Sequence, residues 1–191
     1  MRAGSGGPGR YLSPVTAEMA YDARRAAVLT VSDRVAVGTA EDESGPLLAE
    51  LLTEEGWSVV ERETSPDDLD AVATVLRHLA DEARAALILT TGGTGIAPRD
   101  VTPDATRLVA DREVPGIAEA LRAASLPGTP HAMLSRATAA IRGRTLVVNL
   151  PGSPRAVRQT FDVLAPVLGH AVALAGGEAP TPAEHRSADR R

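Results

Sequence analysis

Apolar positions along the chain follow two spacings. Ala26–Val31, Ala86–Thr91 and Thr145–Leu150 are short, nearly continuous apolar runs, the pattern of strands buried on both faces. Ser58–Thr64 alternates apolar with polar residues, which predicts a fourth strand near a sheet edge. Between these runs apolar residues recur at helical spacing. Leu47, Leu48, Leu51 and Leu52 form one stripe, stopped by Gly56. Leu69, Val72, Val75, Leu76 and Leu79 form a second, and Val157, Phe161 and Leu164 a third. Shorter helices are predicted from Pro103 to about Ala110, from Ile117 to Ala124 and from about Val167 to Ala175.

The punctuation agrees with this alternation. Asp42–Pro46 opens the first helix. Ser65-Pro66-Asp67-Asp68 reads as a Ser cap, a Pro in first position and acids in the first turn. Thr102-Pro103-Asp104 and Ser153-Pro154 read in the same way. Val114-Pro115-Gly116 and Arg142-Gly143-Arg144 read as turns, and Leu126–Pro130 breaks the chain. Strand and helix in strict alternation predict a three-layer, doubly wound α/β domain, with a largely parallel sheet and helices on both faces. Its expected extent is residues 23–177. Residues 1–22, rich in Gly, Ser, Pro and Ala, are expected to form a disordered or surface arm, and residues 178–191 a disordered tail.

Parallel strands share one C-terminal edge, where open α/β sheets bind ligands. Four stretches should meet there: Ser32-Asp33, Asp67, the loop Thr91-Gly92-Gly93-Thr94-Gly95 with Asp100, and Pro151-Gly152-Ser153-Pro154. A strand, a Gly-rich loop and a helix start bring backbone N–H groups against phosphate. A carboxylate such as Asp100 beside that cradle would repel phosphate unless a cation lies between them, which points to Mg²⁺ and a polyphosphate. Pro151–Pro154 is a second candidate anion site. Each stretch also has a purely structural reading: a tight strand-to-helix turn for the glycines, an Asx-type turn for Ser32-Asp33, and first-turn acids for Asp67 and Asp68. His131 has no metal-ligand spacing around it and reads as a surface or packing residue; Trp57 reads as packing.

Composition narrows the chemistry. Hydrophobic residues make up 43% of the 191 positions, enough for a core, but aromatics only 2%, so there is little to stack bases on. The net charge is −5 and no basic run occurs, which argues against a nucleic-acid partner. Cysteine is absent, removing disulfides, thiolate nucleophiles and Cys-ligated zinc. Lysine is absent too: all 20 basic side chains are Arg, so a GxxxxGK[ST] phosphate loop and Schiff-base chemistry are excluded. Phosphate must be held by backbone, Ser/Thr, Arg or metal. No apolar run approaches membrane-spanning length and the opening residues lack a signal-peptide core, so a cytoplasmic protein without membrane contact is expected.

Thr90-Thr91-Gly92-Gly93-Thr94-Gly95 followed by Arg99-Asp100-Val101-Thr102-Pro103-Asp104 resembles the Mog-type molybdopterin adenylyltransferases of molybdenum-cofactor synthesis. Val31–Arg34, Asp42 with Ser44-Gly45, Ser65–Asp67, Leu134–Arg136 and Asn149–Pro154 fit the same family, in order, between about Ala26 and Gly177. The resemblance implies the family's α/β fold, a homotrimer, and Mg²⁺-dependent transfer of AMP from ATP to molybdopterin. It implies functional roles for Asp67 and Asp100, and a pterin and nucleotide site lined by the Gly-rich and Pro-Gly-Ser-Pro loops, with Ser32, Asp33 and Ser135. Both reactants are anions, so Asp67 and Asp100 are expected to position metal and substrate rather than to move protons. Ile96-Ala97-Pro98 departs from other members. Related proteins that bind pterin as carriers, or serve as trimeric scaffolds, are the alternative, and hand-over to a molybdenum-inserting enzyme is a possible partnership.

Overall fold

The computed structural model describes residues 22–177. The arm, apart from Asp22, and the tail expected at the two ends lie outside the described residues. In chain order the elements are β1 (Arg25–Val31), α1 (Asp33–Ala36), α2 (Ser44–Glu54), β2 (Ser58–Ser65), α3 (Leu69–Arg77), β3 (Leu87–Thr91), α4 (Thr102–Val109), β4 (Arg112–Glu113), α5 (Pro115–Ser125), β5 (Ala139–Arg142), β6 (Thr145–Leu150) and α6 (Pro154–Ala175). A π-helical turn, His78–Glu82, extends α3, and a 3₁₀ turn, Pro130–Leu134, follows α5.

The sheet runs β2-β1-β3-β6-β5-β4. Its first four strands are parallel, while β5 and β4 add antiparallel pairs at the far side. The strands are apolar on both faces because both are covered. Ala26, Val28, Leu87, Leu89, Leu146 and Val148 point to α2, α5 and α6. Ala27, Leu29, Val31, Ile88 and Val147 point to α3 and α4. This is the expected three-layer arrangement, and the alternating strand β2 is indeed an edge.

Several local expectations are corrected. Ser65 is not a helix cap; it is the buried last residue of β2, and Asp68 caps α3 by accepting from Ala71 N at 2.9 Å. Thr102 is the first residue of α4 rather than its cap, and its hydroxyl donates to Gly92 O at 2.9 Å. The Pro115 turn is the start of α5, with the Pro ring preset at the first helical position. The helix expected to restart at Val167 is the second half of α6, which runs unbroken through Pro166 because Leu164 and Leu168 are buried on either side of it. Antiparallel β4 and β5 were not anticipated. Ala139-Ala140 carries little strand propensity by itself, and the pairing of Ala139–Arg142 with Thr145–Val148 across the Gly143 turn makes it a strand.

Register places the functional edge. Val31 pairs with Ser65, Thr30 with Thr91, and Thr91 with Leu150. The parallel strands therefore end level, and the four loops beyond them rise side by side.

Candidate functional site

The loop after β3 is shaped by two glycines that no other residue could replace. Gly92 has φ +95°, and a Cβ on it would lie 2.2 Å from Val31 O. Gly93 has φ +60°, and a Cβ there would meet Thr102 Oγ1 at 2.5 Å and Asp67 Oδ1 at 3.0 Å. The loop closes on itself through Thr102 N to Gly93 O at 3.1 Å, and Arg136 N donates to Thr94 O at 2.8 Å. Arg136 also reaches Asp100 O at 3.1 Å and pairs with Asp104, which ties the 3₁₀ turn and Ser135 to the same loop. Beneath it, buried Asn149 donates to Thr90 Oγ1 and Thr106 Oγ1 and accepts from Thr138 N, joining β3, β6, α4 and the approach to β5. Thr91 Oγ1 donates to Pro151 O at 2.8 Å, and a Cβ on Gly152 would lie 3.2 Å from Gly92 Cα, so the two anion-loop candidates are in contact.

Two cavities flank this loop. The first, about 530 Å³, is polar and is lined by Ser32, Asp67, Thr91, Gly92, Gly93, Asp100, Gly152 and Pro154 among the residues anticipated from sequence. The second, about 480 Å³, is mostly apolar, with Ala118, Leu121, Leu134, Ala137 and Ala156 in its wall. It takes in Thr94, Gly95, Asp100, Ser135 and Pro151 from the expected set. Asp100 faces both. Asp33 and Ser153 line neither: Ser153 caps α6, accepting from Ala156 N at 3.3 Å. Ser32 does both jobs, capping α1 while facing the polar cavity.

The two aspartates are held differently. Asp67 and Asp33 grip each other reciprocally: Asp33 N donates to Asp67 Oδ2 at 2.8 Å, and Asp67 N to Asp33 Oδ1 at 3.0 Å. Asp100 Oδ2 accepts from Ala97 N at 2.7 Å within its own turn. In each the other carboxylate oxygen has no hydrogen-bond partner among the described residues. Asp33 is also clasped by Arg99, with Nε at 2.7 Å and Nη2 at 2.7 Å. That guanidinium, acting first through its hydrogen bonds, holds the Asp33 carboxyl below its ordinary range.

Sequence reasoning left Asp42 out of the site, although Asp42 with Ser44-Gly45 was part of the motif. It lines the polar cavity with Glu41, Glu43, Thr30 and Arg34. Both of its oxygens are engaged, by Thr30 Oγ1 at 2.8 Å and by Gly45 N at 2.9 Å, so it braces the loop over the cavity. The apolar cavity was not foreseen. Its wall comes from α5, α6 and the 3₁₀ turn, segments whose outward-facing apolar residues look like ordinary core in one dimension. His131 is exposed at its margin, and Trp57 is buried with Arg24 over its ring at 5.1 Å, a packing role.

A largely parallel α/β sheet with a glycine loop, carboxylates and paired polar and apolar cavities at its C-terminal edge is the arrangement in which open α/β sheets bind ligands. Residues 27–170 match the family model described as a probable molybdopterin binding domain. The chain is 43% identical over 150 residues to the molybdopterin adenylyltransferase of Escherichia coli K12, covering 78% of this chain and 77% of that one. Among solved structures, the molybdopterin biosynthesis enzyme MoaB of Thermus thermophilus is 47% identical with a TM-score of 0.76, covering 81% of this chain and 97% of that one. The molybdopterin biosynthesis Mog protein of Mycobacterium ulcerans is 43% identical with a TM-score of 0.76, covering 82% and 99%. The chain belongs to the MoaB/Mog molybdopterin-binding family of molybdenum-cofactor biosynthesis.

Proposed function

We propose that the protein transfers AMP from ATP to molybdopterin, releasing pyrophosphate. The observation that carries this reading is the placement of Asp67 and Asp100 on facing loops of one polar cavity, each with one carboxylate oxygen open, beside an apolar cavity that shares Asp100. The terminal phosphate oxygen of the pterin attacks the α-phosphorus of ATP, and the bond to the pyrophosphate oxygen breaks. That phosphate is already ionised at neutral pH, so no side chain has to remove a proton; alignment and charge neutralisation are what the site must supply. The apolar cavity suits a flat heterocycle, and the polar one suits the phosphate chains.

The open oxygens of Asp67 and Asp100 are hard donors of the kind Mg²⁺ shares with substrate phosphates, and these two residues would hold it. When bound, Mg²⁺ would neutralise the phosphate charge that the cavity's own carboxylates would otherwise repel. The main-chain N–H groups of the Gly-rich loop orient the phosphates, and the Asp33 clasp keeps Asp67 aimed across the cavity. The assembly is proposed to be a homotrimer working in the cytoplasm, where ATP is at hand, and passing its product to a molybdenum-inserting enzyme. Mass spectrometry of the pterin after incubation with purified protein, ATP and Mg²⁺ tests the reaction: an adenylylated pterin is expected. One observation favours pterin binding without turnover instead: Asp100 Oδ2 already serves its own turn. Pterin bound at equal strength with no adenylylated product would establish that reading.

A further inference from the structure

The polar cavity carries more negative than positive charge: Glu41, Asp42, Glu43, Asp67 and Asp100 face Arg34. Any permanently charged cationic side chain of this chain that meets a polyphosphate there must be an arginine, because the chain has no lysine. Arg99 stands next to Asp100 in sequence, and its guanidinium is clasped on Asp33 at 2.7 Å through Nε and Nη2. Asp33 in turn donates its backbone N–H to Asp67 at 2.8 Å, so Arg99 lies one residue away from a cavity carboxylate. The hydrogen bonds to Asp33 and the Asp33 charge hold the Arg99 proton more tightly, with smaller contributions from the charges of Asp67 and Asp68. Its Nη1 donors have no partner among the described residues, and its side chain is 65% exposed.

We propose that Arg99 is a phosphate-binding side chain of this site, parked on Asp33 until a phosphate-bearing substrate arrives, and that the Asp33 carboxylate competes with that phosphate for it. The inference rests on the reading that the site takes phosphate-bearing substrates. The ion pair is exposed to water, which replaces its bonds as it opens, and a planar guanidinium fork matches phosphate as well as carboxylate. Arg99 can turn its open Nη1 toward a phosphate while staying on Asp33, or exchange one partner for the other. Asp33 keeps the bond from Asp67 N in either case, so Asp67 holds its aim while Arg99 moves. Neither Asp33 nor Arg99 lines the polar cavity; the parked guanidinium is joined to it through Asp33, whose backbone N–H bonds the cavity carboxylate of Asp67.

The test is titration calorimetry of the full chain with inorganic pyrophosphate and with ATP, each with Mg²⁺, alongside the adenylylation assay and a melting curve for every variant. Arg99→Gln is expected to weaken pyrophosphate binding by about tenfold or more and to flatten its salt dependence. Arg99→Lys, which restores charge without the fork, should fall between. Asp33→Asn removes the competing charge but keeps an acceptor for Asp67 N, and is expected to bind pyrophosphate several-fold more tightly, on the order of two- to tenfold. A merely structural Arg99 would give unchanged pyrophosphate affinity in Arg99→Gln, which overturns the inference. Weaker binding in Asp33→Asn would overturn the parking role. Wild-type protein that binds neither pyrophosphate nor ATP would overturn this inference and the proposed reaction together. Arg99-dependent pyrophosphate binding with no adenylylated pterin would leave the inference standing and remove the reaction.

Discussion

Asp67→Asn separates chemistry from architecture because its neighbour supplies the control. The substitution keeps an acceptor for Asp33 N, now 2.8 Å from a carboxylate oxygen, but makes it neutral. A charged hydrogen bond contributes about 1.5–3 kcal/mol and a neutral one about 0.5–1.5, so the expected loss is about 1 kcal/mol. Asp68, not Asp67, caps α3 through Ala71 N at 2.9 Å, and Asp68→Ala should also cost about 1 kcal/mol. For a domain of this size either loss lowers Tm by about 2–4 °C, so melting alone does not tell the two apart. Turnover does. Asp67→Asn removes a carboxylate that has an oxygen open to the polar cavity and should slow adenylyl transfer by on the order of a hundredfold. Asp68→Ala should leave it nearly unchanged. The assay is initial rate by mass spectrometry at saturating ATP and pterin, with Tm measured on the same preparations. Turnover in Asp67→Asn within a few-fold of wild type would refute the reasoning. So would an equal loss in Asp68→Ala, because the effect would then belong to the helix start.

Asp100→Asn should keep its turn through Ala97 N at a cost of about 1 kcal/mol, as for Asp67, and abolish most adenylyl transfer; near-normal turnover would mark Asp100 as a turn residue only. Sedimentation velocity at micromolar concentration should show a trimer, and a monomer or dimer would remove that part of the proposal. His78 sits between Glu61 at 3.0 Å and Glu82 at 3.1 Å, which raise its proton affinity above the ordinary 6.5, Glu61 most. A group raised in the folded state stabilises fully below its unfolded pKa, and that contribution fades as pH rises through the folded value. The Tm advantage of wild type over His78→Gln should therefore be greatest below pH 6.5 and shrink toward alkaline pH; a gap that grows with pH would contradict the geometry.

The order of strands and helices was legible in one dimension because burial on both faces leaves a local trace. Ala26–Val31, Ala86–Thr91 and Thr145–Leu150 can be continuous in apolar residues only if helices cover both sides, and the helical stripes supply those covers. The glycine loop, Asp67, Asp100 and the Pro-Gly-Ser-Pro turn were readable for a related reason. Parallel strands all end on one edge, so residues that follow strands in sequence must meet in space. Pairing across distance left no such trace. Ala139–Arg142 became a strand only by lying against Thr145–Val148, and α6 stayed whole through Pro166 because its buried leucines outweigh one missing hydrogen bond. Whether Ser65 or Asp68 caps α3 depended on where β2 stops, which its pairing with β1 decides. The apolar cavity and the clasp of Arg99 on Asp33, 66 residues apart, are products of packing. Local sequence carries propensity and period; which side chains end up facing one another across loops is set only when the layers close.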